Sequence, residues 1–195
     1  MTERLFKVLG AGGTSIYTDF AWPLPTDDGP GEWVKCKGEL IACVNGLHLC
    51  REQDLLDWLS NEVYEAEARG ERVGADNKIV VREARLTRRY ETWSETTARL
   101  FAADCAERVL PIFERERPDD DRPRKAIEAA RAFARGEIDA DALASAAWAA
   151  WDANAASAAW DASAASAARA ARAARAAERD WQVTRLLQYL DGEIQ

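Results

Sequence analysis

The sequence predicts an α+β protein: a small β-rich head with one helix over residues 1–92, then an alanine-rich, all-α helical bundle over residues 93–195. Three observations carry this. The first ninety or so residues alternate short apolar runs with Gly, Pro and Asp-Gly punctuation, the pattern of strands and turns. From Ser94 onward apolar residues recur at helical spacing. The last third is dominated by alanine, including two tandem copies of a nine-residue unit.

In the head, Leu5–Leu9 (LFKVL) is a short strand stopped by Gly10, Gly12 and Gly13. A turn-rich loop follows over Asp19–Gly31, with Pro23, Pro25 and Asp27-Asp28-Gly29. Glu32–Lys37 alternates around Trp33 and Val34, and Leu40–Val44 is a further strand candidate. Asn45-Gly46 predicts a type I′ hairpin, whose central residues need positive φ, with Leu47–Cys50 as the returning strand. Over Arg51–Ala68 the period changes. Leu55, Leu59 and Val63, with Leu56 and Trp58 beside them, predict an amphipathic helix ended by Gly70 and Gly74. Lys78–Leu86 (KIVVREARL) is then a β-branched strand.

In the bundle, Ala98, Phe101, Ala102, Cys105, Val109, Ile112 and Phe113 form one apolar face, kinked by Pro111. Pro118–Pro123 breaks that helix and starts the next, with Asp as cap and Pro in the first turn. Ile127, Ala130, Phe133 and Ala134 face inward until Gly136. The copies WDANAASAA (Trp151–Ala159) and WDASAASAA (Trp160–Ala168) then repeat with a period of nine. At about 100° per residue, Trp151 and Trp160 of one unbroken helix point to opposite sides. This predicts a break near Asp152–Asn154, with Asn154 capping a new helix. The last helix runs to about Leu190 on a stripe of Val183, Leu186, Leu187 and Leu190. Small alanine side chains let such helices approach closely.

The net charge of −8 argues against a general phosphate-backbone binder, which carries a basic face. No stretch is apolar enough to span a membrane. Four cysteines without a leader fit reduced thiols and a cytoplasmic location. Alanine buries little area, so the eight Trp and five Phe must supply much of the core, roughly 150–250 Å² each.

Few residues suggest chemistry. Cys36, Cys43, His48 and Cys50 offer soft ligands for zinc, but without C-x-x-C spacing; ordinary core cysteines are the alternative. His48, the single histidine, is the one candidate catalytic residue, through a pair with Cys50 and Asp54. Its alternative is a structural role in the hairpin. Asp119–Asp121 with Arg122, Arg124 and Lys125 reads as a cap and a polar interaction patch. Arg169, Arg172, Arg175 and Arg179 make a basic strip able to grip phosphates or an acidic surface, or simply a solvated face. GAGG at Gly10–Gly13 is too short for a phosphate loop, and no cofactor is expected.

The stretch RLFAADCAERVLPIFERERPDDDRPRKAIEAARAFARGEI (Arg99–Ile138) is similar to a helical domain of immunity proteins in bacterial toxin–immunity systems. The head, through Cys43-Val-Asn-Gly-Leu-His48-Leu-Cys50, resembles an uncharacterised phage and bacterial domain with the pattern C-x-x-G-[LF]-H-x-C. These resemblances imply a role in bacterial conflict, as immunity factor or phage counter-defence protein, and no reaction. G-L-H-L before a helix is also similar to the second motif of ADP-ribosyltransferase-like folds. That likeness implies a nicotinamide pocket near His48 with Tyr64 or Glu83, although Leu5–Leu9 lacks the first-strand Arg or His such sites require.

The expectation is therefore a non-enzymatic protein that sequesters a protein or a small signalling molecule, such as a nucleotide, in a cleft between head and bundle. Trp33, His48, Arg122, Arg124, Trp151, Trp160, Arg169, Arg172 and Arg175 are its candidate contacts. The alternatives are a nucleotide-processing enzyme using His48 and a homo-oligomer joined by alanine seams.

Overall fold

A computed structural model describes residues 3–157 and 167–194, and the side chains among them outside residues 150–175. The chain is α+β, an antiparallel sheet followed by helices. It forms two compact units: residues up to Ser94 with Leu190–Glu193, and residues Glu95–Tyr189.

The first unit holds strands β1 (Leu5–Leu9), β2 (Val34–Lys35), β3 (Leu47–Arg51), β4 (Glu62–Ala75) and β5 (Lys78–Arg89). β1 lies between β3 and β4, with Phe6 opposite Cys50 on one side and Lys7 opposite Tyr64 on the other. β5 pairs with β3 (His48 opposite Val80) and along β4. The four strands thus close a circuit, which spares them the exposed edges of an open sheet. β2 extends β5 beyond β3. Leu5, Leu9, Leu49, Tyr64, Ala66, Val81, Ala84 and Leu86 meet Trp22 in a buried cluster. Each fully buried large side chain there contributes roughly 1.5–3 kcal/mol.

The helix expected over Arg51–Ala68 does not form. Glu52–Asp57 is a short 3-10 helix, and Glu62 begins the fourteen-residue strand β4. Leu55 and Val63 are both fully buried, but from two different elements. Their helical spacing is a coincidence of two cores. Gly70 and Gly74 lie inside β4, and Gly70, at φ +78°, sits where the register shifts between Arg69 and Arg72.

Leu40–Val44 is a turn, not a strand, closed by Ile41 and Asn45. Asn45 does not centre a hairpin. Its side-chain amide donates to the carbonyls of Lys37 at 2.8 Å and Glu39 at 2.7 Å, pinning that loop instead. The hairpin of this unit is β4–β5, turned at Asp76-Asn77. Gly46 is still required, because at φ +134° a Cβ would stand 2.2 Å from Val80 Cγ1.

The second unit comprises α1 (Glu95–Glu116), α2 (Arg122–Ala134), α3 (Ala140–Ser157) and α4 (Ala167–Leu190), whose last residue belongs to the first unit. α1 continues through Pro111. Asp139 accepts the Ala142 N–H at 2.9 Å and caps α3, whereas Asp121 at the N-cap of α2 makes no side-chain cap bond and Asp120 before it accepts the Arg122 N–H at 3.2 Å. Gly136 takes φ +72° just past the C-cap of α2, a conformation cheap only for glycine. α3 runs on through Asp152–Asn154, so the break expected there is absent. Trp160 lies outside the described residues.

Asp104 organises this unit. Its carboxylate accepts hydrogen bonds from Arg131 of α2 at 2.7 Å, and from Arg185 at 2.8 Å and Tyr189 at 2.9 Å of α4. Ala103, Leu110 and Ile127 are buried beside Ala130. Among the described residues no helix is long and apolar enough to cross a membrane.

Candidate functional site

Strand alternation puts Lys7, in the middle of β1, on the same face as Leu5 and Leu9. There it meets Trp22, whose ring centroid is 5.2 Å from Nζ. Trp22 reaches this place because the Gly10–Ala21 segment folds back on itself. Gly10 N–H bonds Thr14, Ser15 N–H bonds Phe20, and Trp22 N–H returns to Gly13. The Trp22 indole N–H then donates to Ser15 Oγ at 3.1 Å.

Beside Lys7 opens a cavity of about 530 Å³. Its walls include Lys7, Trp22, His48, Cys50, Trp58 and Lys78, all of the first unit. Trp58 is set by an indole N–H bond of 2.7 Å to the Asn77 carbonyl, and Lys78 Nζ lies 4.7 Å from its ring centroid. Ile16, Tyr17, Phe20 and Val44 line the opening and stay exposed, Tyr17 at 79% and Val44 at 77%. No carboxylate lines the cavity.

His48 is engaged within its own loop. Its Nε2 accepts the Cys43 N–H at 3.0 Å. Burial, with Lys7 and Lys78 nearby, lowers its pKa, although a backbone hydrogen bond with Gly46 opposes this. The imidazole is therefore neutral at pH 7, with Nε2 as acceptor. Burial also pushes the Cys50 thiol up to about 12, so this sulfur is not a thiolate nucleophile. Lys7 moves the other way: burial lowers its amine to about 8.

Cys36, Cys43, His48 and Cys50 do not converge. Cys36 Sγ turns to Asn45 Oδ1 at 3.2 Å, Cys43 is exposed and Cys50 is buried. Among the described residues no group of three or more His, Cys, Asp or Glu could hold a metal ion. Tyr64 and Glu83 are not cavity residues: the Tyr64 hydroxyl donates to Glu62 at 2.9 Å, and Glu83 pairs with Arg69 and Lys35. The strand–helix unit of the ADP-ribosyltransferase likeness is absent as well, because β4 replaces the helix.

The GAGG loop is also occupied from within. Gly12 and Gly13 donate to the Glu62 carboxylate at 3.1 and 2.9 Å. Trp33 is half-buried between Arg69 and Arg85, 4.0 and 4.9 Å from its ring centroid, and does not line the cavity.

In the second unit, Arg122 binds Asp120 through two bonds of 2.7 Å and holds that carboxyl down to about 2. Arg124 binds Glu114 at 2.8 Å. Both are tied to their own helical unit. Arg169, Arg172 and Arg175 lie on α4 and Trp151 on α3, with side chains outside the described residues, as is Trp160 entirely. Among the described residues the Asp104 hub joins α1, α2 and α4, and Ala103 and Leu110 of α1 are buried with Ile127 of α2 beside Ala130.

The helical region overlaps a known family model. Residues 88–178 match the Imm-5 like putative immunity protein family. The match contains Arg99–Ile138, the stretch whose resemblance to immunity proteins was evident in the sequence. The Imm-5 like segment includes α1, α2 and α3 but not the cavity, whose lining residues end at Lys78. No curated protein and no solved structure matches the chain.

Sequence reasoning placed His48 at this site and missed Lys7, Trp22, Trp58 and Lys78. One signal was available: a lysine inside an otherwise apolar strand, LFKVL, sits where burial disfavours charge.

Proposed function

We propose that the chain is a binding protein of bacterial conflict, an immunity factor or phage counter-defence protein, that acts without catalysis by sequestering a protein or a small signalling molecule. One observation carries the reading: Ile16, Tyr17, Phe20 and Val44 gather around one opening and remain exposed. Apolar side chains clustered at a cavity mouth mark contact sites. Two further points support it. The family description of residues 88–178 is one of immunity. The neutral, internally bonded His48 and the high-pKa Cys50 do not make a nucleophile–base pair.

Native mass spectrometry of the protein recovered from bacterial lysate tests this. A stoichiometric bound species is expected, lost when Phe20 and Val44 are both changed to Asp. Turnover of a nucleotide by the purified protein, abolished in a folded His48→Ala variant, overturns the reading in favour of an enzyme. The solution mass of the same preparation tests self-association through the alanine seams.

A further inference from the structure

We infer that the cavity of the first unit binds a small anion carrying a flat unsaturated ring, an aromatic carboxylate or a base–phosphate of mononucleotide size. Lys7 receives the charge, and Trp22 and Trp58 supply the apolar walls. The inference rests on reading the first unit as a binding part and names what it binds.

The cations of this unit sort into two groups. Arg51, Arg69, Arg82, Arg85 and Arg88 each pair with a carboxylate. Lys7 does not: its described contacts are the His48 carbonyl, 3.0 Å from Nζ, and the Trp22 ring. An ammonium has three donors, and one carbonyl satisfies only one of them. A charged group removed from water without a counter-charge is costly, and a ligand anion relieves that cost. Lys78 adds a second positive charge at the wall over Trp58. On a chain of net charge −8, a cavity lined by two lysines and no carboxylate is a local reversal of sign.

The apolar complement comes from the two indoles with Tyr17 and Phe20, which offer faces and edges to a planar ring. The volume of about 530 Å³ lies in the range of roughly 300–1,000 Å³ usual for small-molecule sites. The titratable groups around Lys7 are His48 and Cys50 on β3, Tyr64 opposite on β4, Lys78 at the start of β5, and Tyr17 and Cys43 of the cavity lining. None is a carboxylate, so the incoming ligand brings the cavity its first carboxylate or phosphate. Binding then draws the Lys7 amine back toward its ordinary range and takes up a proton above about pH 8.

Isothermal titration calorimetry of the whole protein decides this with four probes: naphthoate, adenosine monophosphate, naphthylmethanol as a ring without charge, and inorganic phosphate as charge without a ring. At least one ring-bearing anion is expected to bind saturably and more tightly than naphthylmethanol or phosphate. Lys7→Met should weaken it by about tenfold or more, the scale of one charge-assisted hydrogen bond. Lys7→Arg, which keeps the charge, should retain more of the binding, with circular dichroism confirming that both variants fold. Preference for naphthoate or for the nucleotide assigns carboxylate or phosphate. Binding of naphthylmethanol as tight as that of the anions overturns the inference, as does an unchanged affinity in Lys7→Met or no binding of either ring anion. Any of these leaves the immunity-type reading standing, whereas His48-dependent turnover overturns that reading and not this site.

Discussion

The imidazole of His48 holds Cys43 in a left-handed backbone conformation: Nε2 accepts the Cys43 N–H at 3.0 Å, and Cys43 sits at φ +65°. Among the described residues Cys43 is the one non-glycine residue at positive φ. A conformation that costs a β-carbon of order 1 kcal/mol or more persists only when its surroundings fix it. The lone histidine is thus a brace for the loop that leads into β3.

His48→Ala should lower stability by about 0.5–1.5 kcal/mol, the net worth of one hydrogen bond at an exposed donor that water can reach. Cys43→Gly should be neutral or stabilising by up to about 1 kcal/mol, since glycine adopts this φ freely. Urea denaturation midpoints of the two variants check both signs. A His48→Ala midpoint equal to that of the parent removes the brace.

Lys7 gives a pH-dependent prediction. Its pKa in the fold is about 8, below the 10.5 of a free lysine. Between those values the unfolded chain binds more protons than the folded one, so this residue's contribution to stability rises with pH across that window. Below about pH 8 its destabilising effect is fully present. Lys7→Met should therefore raise the melting temperature at pH 7, and the gain should shrink as pH approaches 10.5. Cys50 interacts with Lys7 and titrates with the opposite sign, so comparing Lys7→Met/Cys50→Ala with Cys50→Ala isolates the lysine.

Asp104 is the matching test for the second unit. Burial pushes its carboxyl upward, but hydrogen bonds from Arg131, Arg185 and Tyr189 outweigh that and hold it below its ordinary value. The stabilisation is present above the unfolded carboxylate pKa and is lost as pH falls through the lower folded one. Asp104→Asn should cost about 1.5–3 kcal/mol at pH 7 and less in acid, as read from thermal melts at both pH values.

Gly46→Ala should fail for a steric reason, because the added methyl meets Val80 Cγ1 at 2.2 Å in a backbone that only glycine takes easily. Overpacking of this kind costs roughly 1–3 kcal/mol before the φ penalty is added. Loss of soluble expression, or a melting temperature several degrees lower, is the expected outcome.

The sequence made some elements legible and hid others for identifiable reasons. Lys78–Leu86 announces itself through β-branched residues and becomes β5. α1 and α2 form where the helical period places them and Gly136 stops α2, but on α1 it is Phe101, Ala103 and Leu110 that are buried while Val109 and Ile112 of the expected stripe are exposed. β4 was hidden because EVYEAEARGERVGA is rich in helix formers, and its strand state comes from pairing with β1 and β5. Asn45-Gly46 misled because a side-chain amide can bind loop carbonyls as readily as it can favour a tight turn. At the site, His48 stood out by being alone, whereas Lys7, Trp22 and Trp58 meet only through long-range strand pairing and loop closure. No local pattern records those.

The bond between Glu62 and the Gly12 and Gly13 amides has a consequence for how this molecule meets anions. The segment that looks most like a nucleotide socket by composition arrives already plugged by a tethered carboxylate, at a local concentration no free phosphate can rival. A search for bound nucleotides guided by glycine content would be led to a filled hole. On the binding proposed above, negative guests of the first unit meet the ammonium groups of Lys7 and Lys78 on the cavity wall instead.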